Sequence, residues 1–151
     1  PLIDPAIVDA VIDRYLENIE HVDYVSNMDV PTFPDGLDTE VFSMRALKRA
    51  LTDAKLPSER EHVTLYMRKH MRKINLPIEG KQYGHLRWSV DYEEDYYVVK
   101  QLYENLYREG EIFGYKEIID YLKLRPELTT LNAHIQINEG LEKSLEADPG
   151  G

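Results

Sequence analysis

The sequence contains no cysteine. This absence excludes a disulfide-stabilised scaffold and any zinc or iron–sulfur centre held by thiolates. No apolar run approaches the roughly 20 residues that a bilayer-spanning helix needs, so we predict no transmembrane segment. No signal-peptide pattern is visible either, because Asp4 follows directly on the first three residues. Together these absences favour a cytoplasmic protein.

Positive charge is scarce: 18 Lys and Arg stand against 28 Asp and Glu, a formal net charge of −10. Such a chain repels nucleic acid and anionic membranes, so we predict neither as a partner. A small anionic ligand is still compatible, since a divalent cation held by carboxylates can bridge a nucleotide to an acidic protein.

Several catalytic signatures are also missing. The sequence has no Walker A loop, no G-x-G-x-x-G and no G-x-S-x-G elbow, and no nucleophilic Ser is paired with a His. His62 and His70 are eight positions apart, whereas zinc proteases place two histidines four apart. We therefore expect neither a P-loop nucleotide site nor a zinc centre.

The chain has 151 residues, 42% of them hydrophobic, enough for one domain with a real core. We predict a single domain over 1–145 and a disordered tail over 146–151. Helical and strand patterns alternate, which is typical of an α/β fold. The predicted strands cover 23–27, 37–42, 73–78 and 86–90, and the predicted helices 5–20, 43–55, 58–72, 93–108, 115–124 and 126–145.

Asp91 follows the predicted strand 86–90, and ligands of α/β sheets bind beyond the carboxyl ends of strands. A carboxylate at this point is well placed to hold Mg²⁺ against a phosphate. The sequence pattern alone favours Asp91 as the N-cap of the next helix, and the two roles are compatible because a capping carboxylate has a second oxygen.

A second candidate site is the segment that contains Asp35, Gly36, Asp38 and Glu40. The glycine permits close approach of the backbone to a ligand. Asp38 and Glu40 lie on one face of the predicted strand, where they would act together on sugar hydroxyls. An ordinary Asp-Gly turn before a strand explains the same pattern.

Two basic groups complete the candidates. Arg60 and His62 lie in the first turn of the helix that a capping box at Ser58 predicts, where they would meet an anionic substrate or remain solvated. Arg87 lies on the strand face opposite the predicted core residue Trp88, so it needs a carboxylate or a ligand as partner if buried. The tyrosines of 92–107 are predicted to pack in the core or to form an oligomer interface.

Several segments in order resemble the sugar-acid cytidylyltransferases, and most of all the SpsF-type branch that acts in spore-coat polysaccharide biosynthesis. The matching segments are Pro1–Pro5 (PLIDP), Asp23–Asn27 (DYVSN), Pro34–Phe42 (PDGLDTEVF), Ser58–Thr64 (SEREHVT), His85–Asp91 (HLRWSVD) with Glu94 and Asp95, Leu131–His134 (LNAH) and Asn138–Gly140 (NEG). Each is weak alone, but their order and spacing match over nearly the whole chain.

The resemblance implies part of a three-layer, Rossmann-like nucleotide-diphospho-sugar-transferase sheet with helices on both faces. It implies transfer of CMP from CTP to an acidic sugar, with Mg²⁺ as cofactor. On the matching motifs, Asp91 would be the catalytic metal ligand. Asp35, Gly36, Asp38, Glu40, Arg60, His62 and Arg87 would line the sugar side.

The family pattern places another metal-binding aspartate and a basic phosphate-gripping segment ahead of Pro1. We therefore expect this chain to be the C-terminal portion of a larger nucleotidyltransferase fold, inactive alone. The alternative is a noncatalytic oligomerisation or partner-binding module derived from that fold. An exposed strand edge and apolar surface would favour a homodimer.

Overall fold

A computed structural model describes residues 1–149 and has an α/β architecture, as predicted. In chain order its elements are α1 (Pro5–Glu17), β1 (Tyr24–Ser26), β2 (Glu40–Phe42), α2 (Met44–Asp53), α3 (Pro57–Glu61), α4 (Leu65–His70), β3 (Lys73–Asn75), α5 (Glu93–Leu106), α6 (Tyr115–Leu124), α7 (Leu128–Leu131) and α8 (Glu139–Glu146). Over these described residues, no helix combines the length and apolar character needed to cross a bilayer.

The sheet has the order β2-β1-β3. β1 pairs antiparallel with β2, with Val25 opposite Val41, and parallel with β3, with Val25 opposite Ile74. All three residues of the central strand β1 are buried, which explains why it contains no charged residue.

Helices cover both faces of this sheet, as the α/β pattern predicts. Tyr24 points to one face and packs with Ala46 and Ala50 of α2 and Met67 of α4. Val25 points to the opposite face, in a cluster with residues of α1. Successive strand residues point to opposite faces, so Tyr24 packs against α2 and α4 while Val25 packs against α1.

A separate and larger core joins the start of the chain to α5, α6 and α7, with Leu37 and Trp88 at its centre. Trp88 is buried, as predicted. The predicted strand at 86–90 is wrong, because this segment forms only one parallel bridge, between Asp35 and Arg87. Its residues are held by side-chain burial and by the bond from the Trp88 amide to the Asp35 carbonyl (2.8 Å) rather than by a ladder.

Side-chain capping explains where α1 and α2 begin. Asp4 Oδ1 accepts a hydrogen bond from the Ala6 amide (2.9 Å), and the Ser43 hydroxyl accepts one from the Ala46 amide (3.0 Å). Asp4 also serves α6, since its Oδ2 accepts from the Tyr115 amide (2.9 Å).

The predicted capping box at Ser58 is wrong. Leu56 is the N-cap of α3 and offers no side-chain acceptor, while Ser58 is buried inside the first turn. The predicted helix 58–72 is interrupted after Glu61 and resumes as α4 at Leu65. The long helix predicted over 126–145 is likewise two helices, α7 and α8.

The buried face of α5 also differs from the prediction. Asp95, Val98, Val99 and Leu102 face the core, and the tyrosines at 92, 96, 97, 103 and 107 are exposed. The Asp95 side chain points into the core because it pairs there with the buried Arg87. In the predicted tail, Glu146 ends α8 and Asp148 accepts a hydrogen bond from the Ser58 amide (3.1 Å), while residues 150 and 151 lie outside the described residues.

Candidate functional site

An open pocket of about 630 Å³ lies between the ends of the sheet, α4, the segment 87–92 and the start of α8. Five of the residues proposed from sequence line it: Asp35, Glu40, His62, Arg87 and Asp91. They come from three distant stretches of the chain, around 35–40, 62 and 87–91, so the fold brings them together. Gly36, Asp38 and Arg60 are not part of its wall.

Arg87 is the most enclosed cation at this pocket, with 6% of its side chain exposed. Its Nε donates to both carboxylate oxygens of Asp95 (3.0 and 3.1 Å), and its Nη2 donates to Asp91. Nη1 lies 3.7 Å from Asp35. The expected need of Arg87 for a carboxylate partner is confirmed. Burial alone would lower the pKa of Arg87, but the hydrogen bonds that it donates to Asp95 and Asp91 raise its pKa, so the guanidinium remains charged.

Asp95 fixes the geometry of this cluster. It is fully buried and accepts from Arg87, from Asn132 Nδ2 (2.8 Å) and from the backbone amides of Asp91 (3.1 Å) and Tyr92 (3.2 Å). Burial would raise its pKa, but these hydrogen bonds dominate and hold the pKa of Asp95 below its usual value. The cap of α5 is therefore supplied by Asp95, and the predicted capping role of Asp91 is wrong.

Asp91 is left at the mouth of the pocket, with 66% of its side chain exposed and one oxygen on Arg87. Over residues 1–149, no three His, Asp or Glu side chains are grouped to hold a metal ion. Mg²⁺ in nucleotide sites is typically bound by one or two carboxylates, with phosphates and water completing its shell. Asp91 fits the role of one such ligand.

Asp35 and Gly36 form a tight corner beside Asp91. Asp35 Oδ2 accepts from the Ser89 hydroxyl (2.6 Å). Gly36 has a φ of +99°, and a Cβ there would lie 2.8 Å from the Ser89 amide nitrogen and the Trp88 carbonyl carbon. Glycine is thus required to bring the Asp35 turn against the segment 87–91.

Glu40 is held in place from two sides. Its Oε1 accepts hydrogen bonds from Tyr24 and from the Thr64 hydroxyl, the latter at 2.7 Å. Burial, and then the hydrogen bond to Glu40, raises the pKa of Tyr24, so the phenol stays protonated and donates. The orientation of Glu40 toward the pocket is therefore fixed before any ligand arrives.

Asp38 lies outside the pocket wall, next to these carboxylates. Desolvation by the chain around it, then the negative charges of Asp35 and Glu40, raise the pKa of Asp38 to about 6. Asp38 is itself exposed, and the charges of the two neighbouring carboxylates disfavour its ionised form. The three acids thus form one coupled negative region.

The two basic candidates from the segment 58–64, His62 and Arg60, lie in different surroundings. His62 lines the pocket, and its Nε2 is hydrogen-bonded to Ser144 Oγ (2.9 Å). Arg60 points away, toward α2, where its Nη1 donates to the Leu51 carbonyl (3.2 Å).

Sequence reasoning missed several pocket residues: Arg68, Ser89, Tyr92 and Gln136. Asn138–Gly140 entered only through the resemblance, without a role. Asp95 and Asn132 were missed as organisers of the Arg87 cluster. A detectable signal existed for Asp95, since the apolar positions Val98, Val99 and Leu102 place it on the buried face of the helix.

Known proteins provide the comparison. No family model matches the chain. It is 28% identical over 142 residues to an uncharacterised protein of Methanocaldococcus jannaschii, covering 90% of this chain and 55% of that protein. It is 27% identical over 138 residues to the spore coat polysaccharide biosynthesis protein SpsF of Bacillus subtilis, covering 86% of this chain and 54% of that protein.

Among solved structures, a cytidylyltransferase from Leptospira borgpetersenii matches with a TM-score of 0.79 and 27% identity, over 92% of this chain and 57% of that one. The chain thus spans about half the length of the relatives it matches. Its small sheet flanked by helices has the cytidylyltransferase fold, of the nucleotide-sugar-transferase type, and the similarity to SpsF supports that family.

Proposed function

We propose that this chain forms the acceptor side of a cytidylyltransferase that transfers CMP from CTP to an acidic sugar in the cytoplasm, for a surface or spore-coat polysaccharide. The observation that carries the proposal is the meeting of Asp35, Glu40, His62 and Asp91 at one pocket in a chain with the cytidylyltransferase fold. The relative named for spore-coat polysaccharide biosynthesis supports the biosynthetic setting.

In this reaction an oxygen of the sugar attacks the α-phosphate of CTP, a new phosphorus–oxygen bond forms, and pyrophosphate leaves. Asp35 and Glu40 accept hydrogen bonds from sugar hydroxyls, and Glu40 is oriented for this by Tyr24 and Thr64. His62 contacts the substrate from the opposite wall. Holding the acceptor in one orientation lowers the entropic part of the barrier.

Asp91 is the residue that would hold Mg²⁺, which, when bound, neutralises charge that develops on the phosphates. Arg87 is assigned a positioning role, because its guanidinium is enclosed by three carboxylates and it fixes the Asp91 carboxylate. Gly36 permits the close corner beside Asp91. Arg60 and Asp38 lie off the pocket wall, so we assign them no direct substrate contact.

Because we expect the chain to be inactive alone, the test uses the full-length nucleotidyltransferase of which we propose it is a part. Pyrophosphate release is measured with CTP, UTP, GTP or ATP, each with a panel of acidic sugars and with or without Mg²⁺. We expect release only with CTP and Mg²⁺. Asp91→Asn should lower the rate by about 100-fold or more, since several kcal/mol of charge stabilisation are lost. Glu94→Gln, which changes an exposed carboxylate on the helix that follows Asp91, is the matched control and should leave the rate unchanged. Equal rates for the two variants would refute the assignment of Asp91.

A noncatalytic interaction module is the second candidate. It is favoured by the exposed tyrosines of α5 at positions 96, 97 and 103, because aromatic side chains are common in protein interfaces. This function predicts no pyrophosphate release with any nucleotide, together with a homodimer detected by light scattering. A monomer that releases pyrophosphate from CTP would refute it.

A further inference from the structure

The last segment of the described chain, 133–149, differs from the rest in how it is attached. None of its residues is buried, whereas each of the longer helices α1, α2, α5 and α6 buries at least two side chains. Elements without buried apolar contacts open locally at low free-energy cost. The apolar side chains of this segment, Ile135, Ile137, Leu141 and Leu145, are only half-buried, so polar contacts supply much of its attachment.

Its first end is firmly anchored. Asn132, immediately before it, is buried and donates through Nδ2 to the Arg87 carbonyl (2.9 Å) and to Asp95 Oδ1 (2.8 Å). From there an exposed stretch leads to Asn138, which has a φ of +63° and precedes α8 directly. A left-handed residue between a fixed anchor and a helix is a natural pivot, because small dihedral changes there swing the whole helix.

The other end is attached to α3 and the residue after it by side-chain hydrogen bonds. Asp148 accepts from the Ser58 amide (3.1 Å) and from its hydroxyl (2.5 Å). Ser144 Oγ bonds to His62 Nε2 (2.9 Å) and donates to Glu61 Oε2 (2.9 Å). We call these contacts of Asp148 and Ser144 the latch.

Between anchor and latch, the segment forms one wall of the pocket, through Gln136, Asn138, Glu139, Gly140 and Leu141. Glu139 also accepts a hydrogen bond from the Tyr92 hydroxyl (3.4 Å), on the opposite rim. Its movement would thus change both the access to the pocket and the set of groups that face a ligand.

We propose that residues 133–149 are a hinged lid over the pocket, pivoting at Asn138 and held closed by the latch to Ser58, Glu61 and His62. The lid brings the polar groups of Gln136, Asn138 and Glu139 onto a bound ligand when it closes. This assigns a role to the segment Asn138–Gly140, which the sequence resemblance singled out.

Hydrogen–deuterium exchange on the unmodified chain tests the lid without any ligand. Amides of 139–146 should exchange at least about tenfold faster than those of 98–102 in α5. Asp148→Ala, which removes the latch at Ser58, should accelerate 139–146 further and leave α5 unchanged. Asp120→Ala, which removes an exposed ion pair on α6, is the matched control and should change neither. Equal protection of α8 and α5, or no response to Asp148→Ala, would overturn the proposal.

A disulfide lock gives a second, reversible test, and the absence of native cysteine makes it unambiguous. In the double variant Ser58→Cys with Asp148→Cys, oxidation should slow exchange in 139–146 toward the level of α5, and reduction should restore it. If 139–146 exchanges equally fast in the oxidised and reduced forms, the latch does not hold the lid. Pyrophosphate release by the same two forms of the full-length nucleotidyltransferase rests on the proposed function; its absence in both would count against that function and leave the exchange result standing.

Discussion

Replacing Asp95 with asparagine should destabilise the protein strongly, although Asp95 touches no ligand. The substitution removes the charge that faces the buried Arg87 and sets an amide NH₂ against the donors of Arg87, Asn132 and two backbone amides. Breaking a buried ion pair from one side costs about 3–5 kcal/mol. Because Arg87 keeps Asp91 and Asp35 as partners, we expect the lower end, about 3 kcal/mol.

Urea unfolding followed by circular dichroism measures this change, and a thermal midpoint lower by about 6–12 °C should accompany it. The matched control is Glu104→Gln on the same helix, which breaks the exposed pair with Lys100 (3.8 Å) and should have no measurable effect. If Asp95→Asn unfolds at the same urea concentration as this control, the cluster does not stabilise the fold and our reasoning is wrong.

Acid should reveal the same cluster. The pKa of Asp95 is lower in the folded protein than in the unfolded chain, so its stabilisation is present above the unfolded pKa of about 4 and is lost as the pH falls through the folded pKa. The wild type should lose stability below about pH 4 more steeply than the Asp95→Asn variant. Parallel stability curves for the two proteins over this range would contradict the lowered pKa.

Three further features are each tested by substitution. Asp4→Ala should cost about 1–3 kcal/mol, since it uncaps both α1 and α6, whereas Ser43→Ala removes one cap and should cost about 1 kcal/mol in the same urea assay. Gly36→Ala should cost more than about 2 kcal/mol, because the new Cβ would lie 2.8 Å from backbone atoms. Gly110→Ala should cost only about 1 kcal/mol, because Gly110 has a positive φ but open space around it. The pKa of Asp38 is raised to about 6, so wild-type stability should fall as the pH rises from about 4 through 6; Asp38→Asn should remove this fall, and an unchanged slope would contradict the raised pKa.

The sequence correctly predicts the start of a helix where the capping residue lies next to the amides that it binds. Asp4 and Ser43 supply caps within three residues of the amides they bind, so α1 and α2 begin where the sequence indicates. The capping box at Ser58 failed because a partner distant in sequence, Asp148, takes the hydroxyl instead. A short pattern cannot reveal that competition.

Burial explains the other differences. The segment 86–90 has the composition of a strand, and most of it is buried against neighbouring segments. It forms no strand ladder, so burial alone accounts for its apolar pattern. The phase of α5 was misread because aromatic residues were given the core, whereas the deciding residue is Asp95, whose charge Arg87 satisfies inside the protein. Pattern reading assigns charged residues to solvent, and a buried ion pair between distant segments violates that assumption.

At the candidate site, too, the sequence predicted what a residue needs but not which residues supply it. The family resemblance implied that Arg87 lines the sugar side, whereas the residue pattern alone predicted that a buried guanidinium needs a carboxylate or a ligand, and that requirement was stated correctly. The fold meets it with Asp95, Asp91 and Asp35, leaving 6% of the Arg87 side chain exposed. A cation enclosed in this way has little capacity left for a ligand, whereas Asp91, at the outer edge of the same cluster, is 66% exposed and faces the pocket. We therefore assign the contact with the ligand to Asp91, and we assign to Arg87 the role of holding the Asp91 carboxylate in place.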